Sequence, residues 1–129
     1  MILLLDSSTG NCQLTIIEQS GERFDYNWQA DRSLARELLG YLRDRLAEHQ
    51  KNFHDISGLA VMQGPGSFTG LRIGITVMNT LAESLKVPIV GEIGASWNQK
   101  AIDRLGSGDN DQIVLPEYGA EANITKPRK

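Results

Sequence analysis

The chain has 129 residues, with 13 basic and 16 acidic side chains, a formal net charge of -3 and 40% hydrophobic residues. This length fits one compact domain and excludes two ordinary ones, and the composition supplies a core without disulfide or metal staples. The acidic balance excludes a globally basic nucleic-acid binder, since concentrated positive charge is confined to Lys126, Arg128 and Lys129.

The apolar opening, Met1 to Leu5, has no basic leader and is far short of a spanning helix. It reads as a buried strand over Ile2 to Leu5, and no membrane partner is expected. The turn residues Ser7-Ser8-Thr9-Gly10-Asn11 follow, then a second strand from Cys12 to Glu18. Cys12 is the sole cysteine, so no internal disulfide is available, which fits a reducing, cytoplasmic compartment. After the turn Ser20-Gly21-Glu22, Phe24, Tyr26 and Trp28 alternate with polar residues at the period of a half-buried strand. Three strands with short turns imply an antiparallel meander.

From Ser33 the period changes. Leu34, Leu38, Leu42 and Leu46 recur every four residues, predicting an amphipathic helix with Ser33 as N-cap and Glu37 near its positive end. Gly58 to Gln63 reads as a fourth strand feeding a second helix over Phe68 to Leu85. Val87-Pro88 stops that helix and Ile89 to Ile93 forms a fifth strand. Trp97, Ala101, Ile102 and Leu105 predict a last helix, ended by Gly106. The order is an α/β fold with a mixed five-stranded sheet: an antiparallel meander plus parallel strands, covered by helices in the actin-like or ribonuclease-H-like manner. Residues 1–106 form the single domain in this reading; 107–129 are a linker and an extended or mobile tail.

Gly64-Pro65-Gly66-Ser67-Phe68-Thr69-Gly70-Leu71-Arg72-Ile73-Gly74 lies at the fourth strand-to-helix junction. A glycine turn opening a helix offers amides to an anion. Thr69 stands where either nucleotide motif needs another residue, no lysine follows, and Pro65 lacks an amide hydrogen. The loop therefore matches neither a P-loop nor a dinucleotide fingerprint. One reading is purely structural, a sharp turn with Ser67 as cap. The other follows from the helix, which carries two apolar stripes: Phe68, Leu71, Ile75, Met78, Ala82 and Leu85, and separately Ile73, Val77 and Leu81. A single sheet needs only one of them. The second meets either the first helix of the same chain or a partner, and Gly70 and Gly74 would allow a partner's backbone to approach closely.

The string GPGSFTGLRIG, with the opening Ile-Leu-Leu-Leu-Asp-Ser-Ser, resembles the hallmark of the TsaB (YeaZ) family of tRNA threonylcarbamoyladenosine biosynthesis proteins. The resemblance covers Met1 to about Leu105, including Arg32-Ser33, Leu38-Leu39 and Val87-Pro88-Ile89. It implies an actin-like fold and a non-catalytic scaffold that dimerises with the threonylcarbamoyltransferase TsaD, assisted by the ATPase TsaE. Transfer of threonylcarbamoyl to tRNA then occurs in the complex, with tRNA met indirectly and a homodimer formed when the chain is alone. Partner contacts implied on this basis are Gly64, Pro65, Gly66, Ser67, Phe68, Thr69, Gly70, Leu71, Arg72, Gly74 and Ile75, with Leu38 and Leu42 of the neighbouring helix. The family usually carries a second actin-like half. Here a short linker leads into Leu115-Pro116-Glu117-Tyr118, similar to the usual ending, so the chain reads as a reduced form.

In such a fold Asp6, Ser7, Ser8, Thr9 and Gly10 mark a degenerate phosphate loop. No cofactor is expected beyond weak nucleotide binding, with ATP and metal handled by TsaD or TsaE. His49 and His54 lack metal-ligand spacing and read as surface residues. A metal-dependent nuclease would use Asp6 with Glu37 or Glu48, yet Gln63 stands where a further carboxylate is needed. Asp6 reads instead as a hydrogen-bonding partner of its own turn, and the basic tail as either a tRNA phosphate contact or a solvated end.

Overall fold

The computed structural model describes residues 1–117. Its sheet has the order β3-β2-β1-β4-β5, with β1 at Ile2–Asp6, β2 at Asn11–Ile17, β3 at Arg23–Gln29, β4 at Gly58–Gly64 and β5 at Ile89–Ile93. β1, β2 and β3 form the expected antiparallel meander, with Leu4 opposite Thr15 and Leu14 opposite Tyr26. β4 joins β1 in parallel, Leu3 beside Leu59, and β5 joins β4 in parallel, Ala60 beside Val90.

Side-chain alternation divides the sheet into two faces. Leu3, Leu5, Leu14, Ile16, Leu59, Val61 and Ile89 point into the larger core, under α1 (Leu34–Ala47) and α2 (Phe68–Leu85). Leu4, Ala60 and Val90 point the other way, under Trp97 and Ala101 of α3 (Trp97–Gly106). Continuous apolar runs in β1 and β4 follow from this, since central parallel strands are covered on both faces. β2 and β3 alternate because helix α1 covers only one of their faces. Trp28 stacks on Tyr41 of α1 with ring centres 4.1 Å apart.

The α2 bounds fall where the periodicity placed them, and Ser67 caps the helix by accepting from the Gly70 amide at 3.3 Å. The expected Ser33 cap is corrected. A 3-10 turn at Asp31–Ser33 precedes α1, and the Ser33 hydroxyl donates to Ala30 and Glu37 at 2.7 and 2.9 Å instead of accepting a first-turn amide. His49 is also corrected: it is half-buried, packed on Phe24 and joined to the Tyr26 hydroxyl by a 2.6 Å hydrogen bond, whereas His54 is exposed.

Beyond α3, Gly108 turns the chain with φ +85° and Arg104 bonds Asp109, Asp111 and Glu92. Residues 110–117 have no helix or strand, yet they are seated along the body, with Val114 only 2% exposed. Of the two readings of the tail, extended or mobile, this stretch has the extended form, packed on the body. Tyr118 and the basic residues Lys126, Arg128 and Lys129 lie outside the described residues. Among the described residues no helix is long and apolar enough to cross a membrane.

Candidate functional site

The β1–β2 turn and the glycine loop meet directly. The Ser67 amide donates to the Ser8 carbonyl at 2.7 Å, and the Ser7 hydroxyl donates to the Gly70 carbonyl at 2.8 Å. A Cβ at Gly66 would lie 2.6 Å from the Ser8 carbonyl oxygen, and one at Gly70 would lie 2.4 Å from that of Ser7. At Gly74 it would lie 2.1 Å from the Ser7 hydroxyl and 2.9 Å from Ser7 Cβ. These glycines thus seat α2 against the end of β1. The expected use of Gly70 and Gly74, close approach by a partner helix, is corrected: the chain's own β1–β2 turn occupies that side. Gly64, with φ +137°, faces the Glu117 backbone, where a Cβ would come 1.9 Å from the carbonyl oxygen. Pro65 is exposed.

Four of the expected contact residues lie in the core. Leu38, Leu42 and Leu71 are fully buried and Ile75 is 2% exposed, because the sheet takes one stripe of each helix. Phe68, grouped by spacing with Leu71 and Ile75, is 55% exposed, with the Arg72 guanidinium 5.2 Å from its ring centre. Leu39 is 50% exposed. The second stripe of α2, Ile73, Val77 and Leu81, is half-buried against the core. α1 therefore covers it in part. Ala35, Thr69, Arg72, Ile73, Thr76 and Val77 line an open depression of about 430 Å³ on the outer seam between the two helices. Leu39 and Ala35 were not singled out as contacts by sequence. Ala35 and Leu39 are themselves four apart and widen the leucine stripe by spacing, but the structure leaves both exposed.

A second depression, about 520 Å³, lies between the β1–β2 turn, the β3–α1 connection and the start of α2; Thr9, Gly10, Cys12, Asp31, Arg32 and Ser67 are among its walls. This is the degenerate phosphate loop of the sequence reading. Ser7 and Ser8 are buried and committed, Ser7 to Gly70 and Ser8 through its amide and hydroxyl to Asp6, at 2.9 and 2.6 Å. The Thr9 hydroxyl is engaged with Asn11. Asp31 stands against Gly10, its carboxylate oxygen 2.2 Å from where a Cβ would be, and is held there by Gln29. An incoming phosphate would meet this carboxylate, with Arg32 the cation in the same wall. The donor set does not make a phosphate cradle. The Cys12 thiol in that wall is pushed up to about 11 by burial and then by the charge of Asp6, so it is a poor nucleophile.

Asp6 serves its own turn, as its sequence position implied. Glu37 bonds Ser33, and Glu48 pairs with Arg45 at 2.8 Å. Among the described residues no three His, Cys, Asp or Glu side chains are placed to hold a metal ion. Among these described residues carboxylates do not converge as two-metal cleavage requires.

The family model of TsaD, tRNA N6-adenosine threonylcarbamoyltransferase, matches residues 28–93, half of the chain. The chain is 32% identical over 89 residues to the tRNA threonylcarbamoyladenosine biosynthesis protein TsaB of Haemophilus influenzae, covering 69% of this chain and 37% of that protein. With TsaB of Escherichia coli the identity is 31% over 90 residues, 70% of this chain and 38% of the relative. The solved structure of YeaZ from Pseudomonas aeruginosa superposes with a TM-score of 0.68 at 32% identity, covering 81% of this chain and 49% of that one. The chain spans less than half the length of these relatives, and the actin-like, ribonuclease-H-like α/β architecture holds across the matched part. From the glycine-loop motif, the sheet order and these matches together, the chain belongs to the TsaB (YeaZ) family, within the wider TsaD family whose model it matches.

Proposed function

We propose that the chain is a non-catalytic scaffold of the tRNA threonylcarbamoyladenosine machinery, docking on TsaD in the cytoplasm through the outer seam of α1 and α2. The observation that carries this reading is the half-covered apolar seam, with Ile73 and Val77 in its floor and Leu39 and Phe68 exposed on the same two helices. Apolar surface at a helix pair gains most by meeting another helix pair, and a fold of the same family presents one. The names of the TsaB relatives support the pathway, and the match to the TsaD model supports a partner of like architecture. Gly64, Pro65, Gly66, Ser67, Gly70 and Gly74 act in this proposal by fixing where α2 begins, with Phe68, Thr69 and Arg72 at the contact. ATP, metal ions and the TsaE contact belong to the other subunits, and tRNA is met through the complex. The committed Ser7 and Ser8 and the carboxylate of Asp31 support a chain that binds nucleotide weakly and does not hydrolyse it.

The test is the solution mass of the chain with and without TsaD of its own organism. A one-to-one complex is expected. Leu39→Asp and Phe68→Asp should each weaken it at least tenfold, since a charge placed in a desolvated contact is costly. A mass unchanged by TsaD, or a homodimer that TsaD does not dissociate, would overturn the proposal.

A further inference from the structure

Residues 110–117 lie along the body as a peptide ligand lies in a groove. The segment begins at the outer edge of β5, where the Asn110 side chain accepts from the Ile89 amide at 3.0 Å and the Asp111 amide donates to the Ile89 carbonyl at 2.8 Å. It then crosses toward the end of β4. Asn79 of α2 grips both backbone groups of Val114: its amide nitrogen donates to the Val114 carbonyl and its oxygen accepts the Val114 amide, each at 2.9 Å. Gln63 does similar work, donating from its side chain to the Leu115 carbonyl at 2.8 Å and accepting the Glu117 amide on its own carbonyl at 2.7 Å.

Selectivity is built into the walls. Gly91 makes room for one anchor, since a Cβ there would come 2.5 Å from Val114 Cγ1. Asp111 is read at both carboxylate oxygens: Arg104 bonds them, and the Gly91 amide donates to one at 2.9 Å. Its neighbours make few demands. Gln112, Ile113 and Leu115 are exposed, Ile113 by 67% and Leu115 by 69%. Nor does the segment fill the available space, for a cleft of about 740 Å³ stays open between α2 and residues Asn110 to Ile113.

We propose that the groove formed by α2 and the β4–β5 end of the sheet is a selective site for an extended peptide of the pattern Asn-Asp-x-x-Val, occupied in the intact chain by its own residues 110–117. Side-chain clamps on a single residue's backbone, a glycine notch for one side chain and an arginine for one carboxylate are the elements by which a protein reads an extended peptide. Tethering raises the effective concentration of the segment to the order of millimolar, so its own copy excludes a free one. Disabling the resident anchor should open the site.

The experiment uses the full chain and a labelled synthetic peptide of residues 109–117, followed by fluorescence anisotropy. Val114→Asp, which disables the resident anchor and leaves the groove intact, is expected to bind the peptide saturably. Its affinity should exceed by at least tenfold that of the unmodified chain, whose groove is filled, and that of the double variant Val114→Asp with Asn79→Ala, whose clamp is gone. Equal binding by all three, or no binding by Val114→Asp, would overturn the proposal. Should Val114→Asp fail to fold, Asp111→Ala, which releases the exposed arginine-linked end, replaces it in the same comparison. Loss of the fold in both would also overturn it, because the segment would then be part of the core and not a ligand.

Discussion

Gly74 shows at a single position how sequence and structure diverge. Four residues after Gly70 on an apolar helix, it looked like a notch for another molecule, and what fills the notch is Ser7 of the same chain. Gly74→Val should therefore destabilise the protein by about 3 kcal/mol, the cost of overpacking a site with no room, measured as a lower urea midpoint of the isolated chain. A midpoint unchanged by the substitution would return Gly74 to the partner surface. Cys12 allows a second test. Its thiol is held near 11, above the ordinary 9.0, so the folded chain keeps a proton that the unfolded chain releases. The resulting stability is fully present below pH 9 and is lost as pH rises through 11. Between pH 8 and pH 11 the native chain should lose more stability than Cys12→Ala does, by urea titration of each at both values.

Helices α1 and α2 carry the distinction between core and contact in adjacent residues. Leu38 is fully buried and Leu39 half exposed, one step of about 100° apart on the same helix. Leu38→Ala should cost about 3 kcal/mol by leaving a cavity, whereas Leu39→Asp should change stability by less than about 0.5 kcal/mol. Thermal melts of the two variants check both values, and the second licenses Leu39→Asp as a probe of docking. The four-residue spacing of leucines made the buried face of α1 legible. It left open which way the second stripe of α2 looks, because periodicity measures the angle between stripes and says nothing of the neighbour that each one meets. Ser33 failed as a cap for a related reason: the 3-10 turn before α1 is a three-residue feature with no period to read.

Across the whole molecule, the order of strands and helices was readable from the chain because each signal is local: alternation for the meander, a four-residue spacing for α1, a glycine turn followed by a capping serine for α2, Val87-Pro88 for its end. The family was readable too, from a motif of contiguous residues. The tail was not. Ser107 to Asp111 has a linker's composition, and the docking of the tail through residues 109–117 depends on Asn79, Gln63, Gly91 and Arg104, residues 5 to 52 positions from their partners whose roles appear only when α2, the sheet and α3 stand together. The same reason governs the phosphate loop. Its hydroxyls were visible in the sequence, but their commitment to Gly70 and Asp6, and the carboxylate of Asp31 beside Gly10, arise from contacts between separate turns. Sequence alone determined the elements, their order and the apolar stripes of each long helix, since backbone preference and hydrophobic period act over a few residues. Only the tertiary structure decided which glycines serve the chain's own packing, which apolar stripe stays partly open and where residues 110–117 lie, because these depend on surfaces that exist once distant segments are side by side.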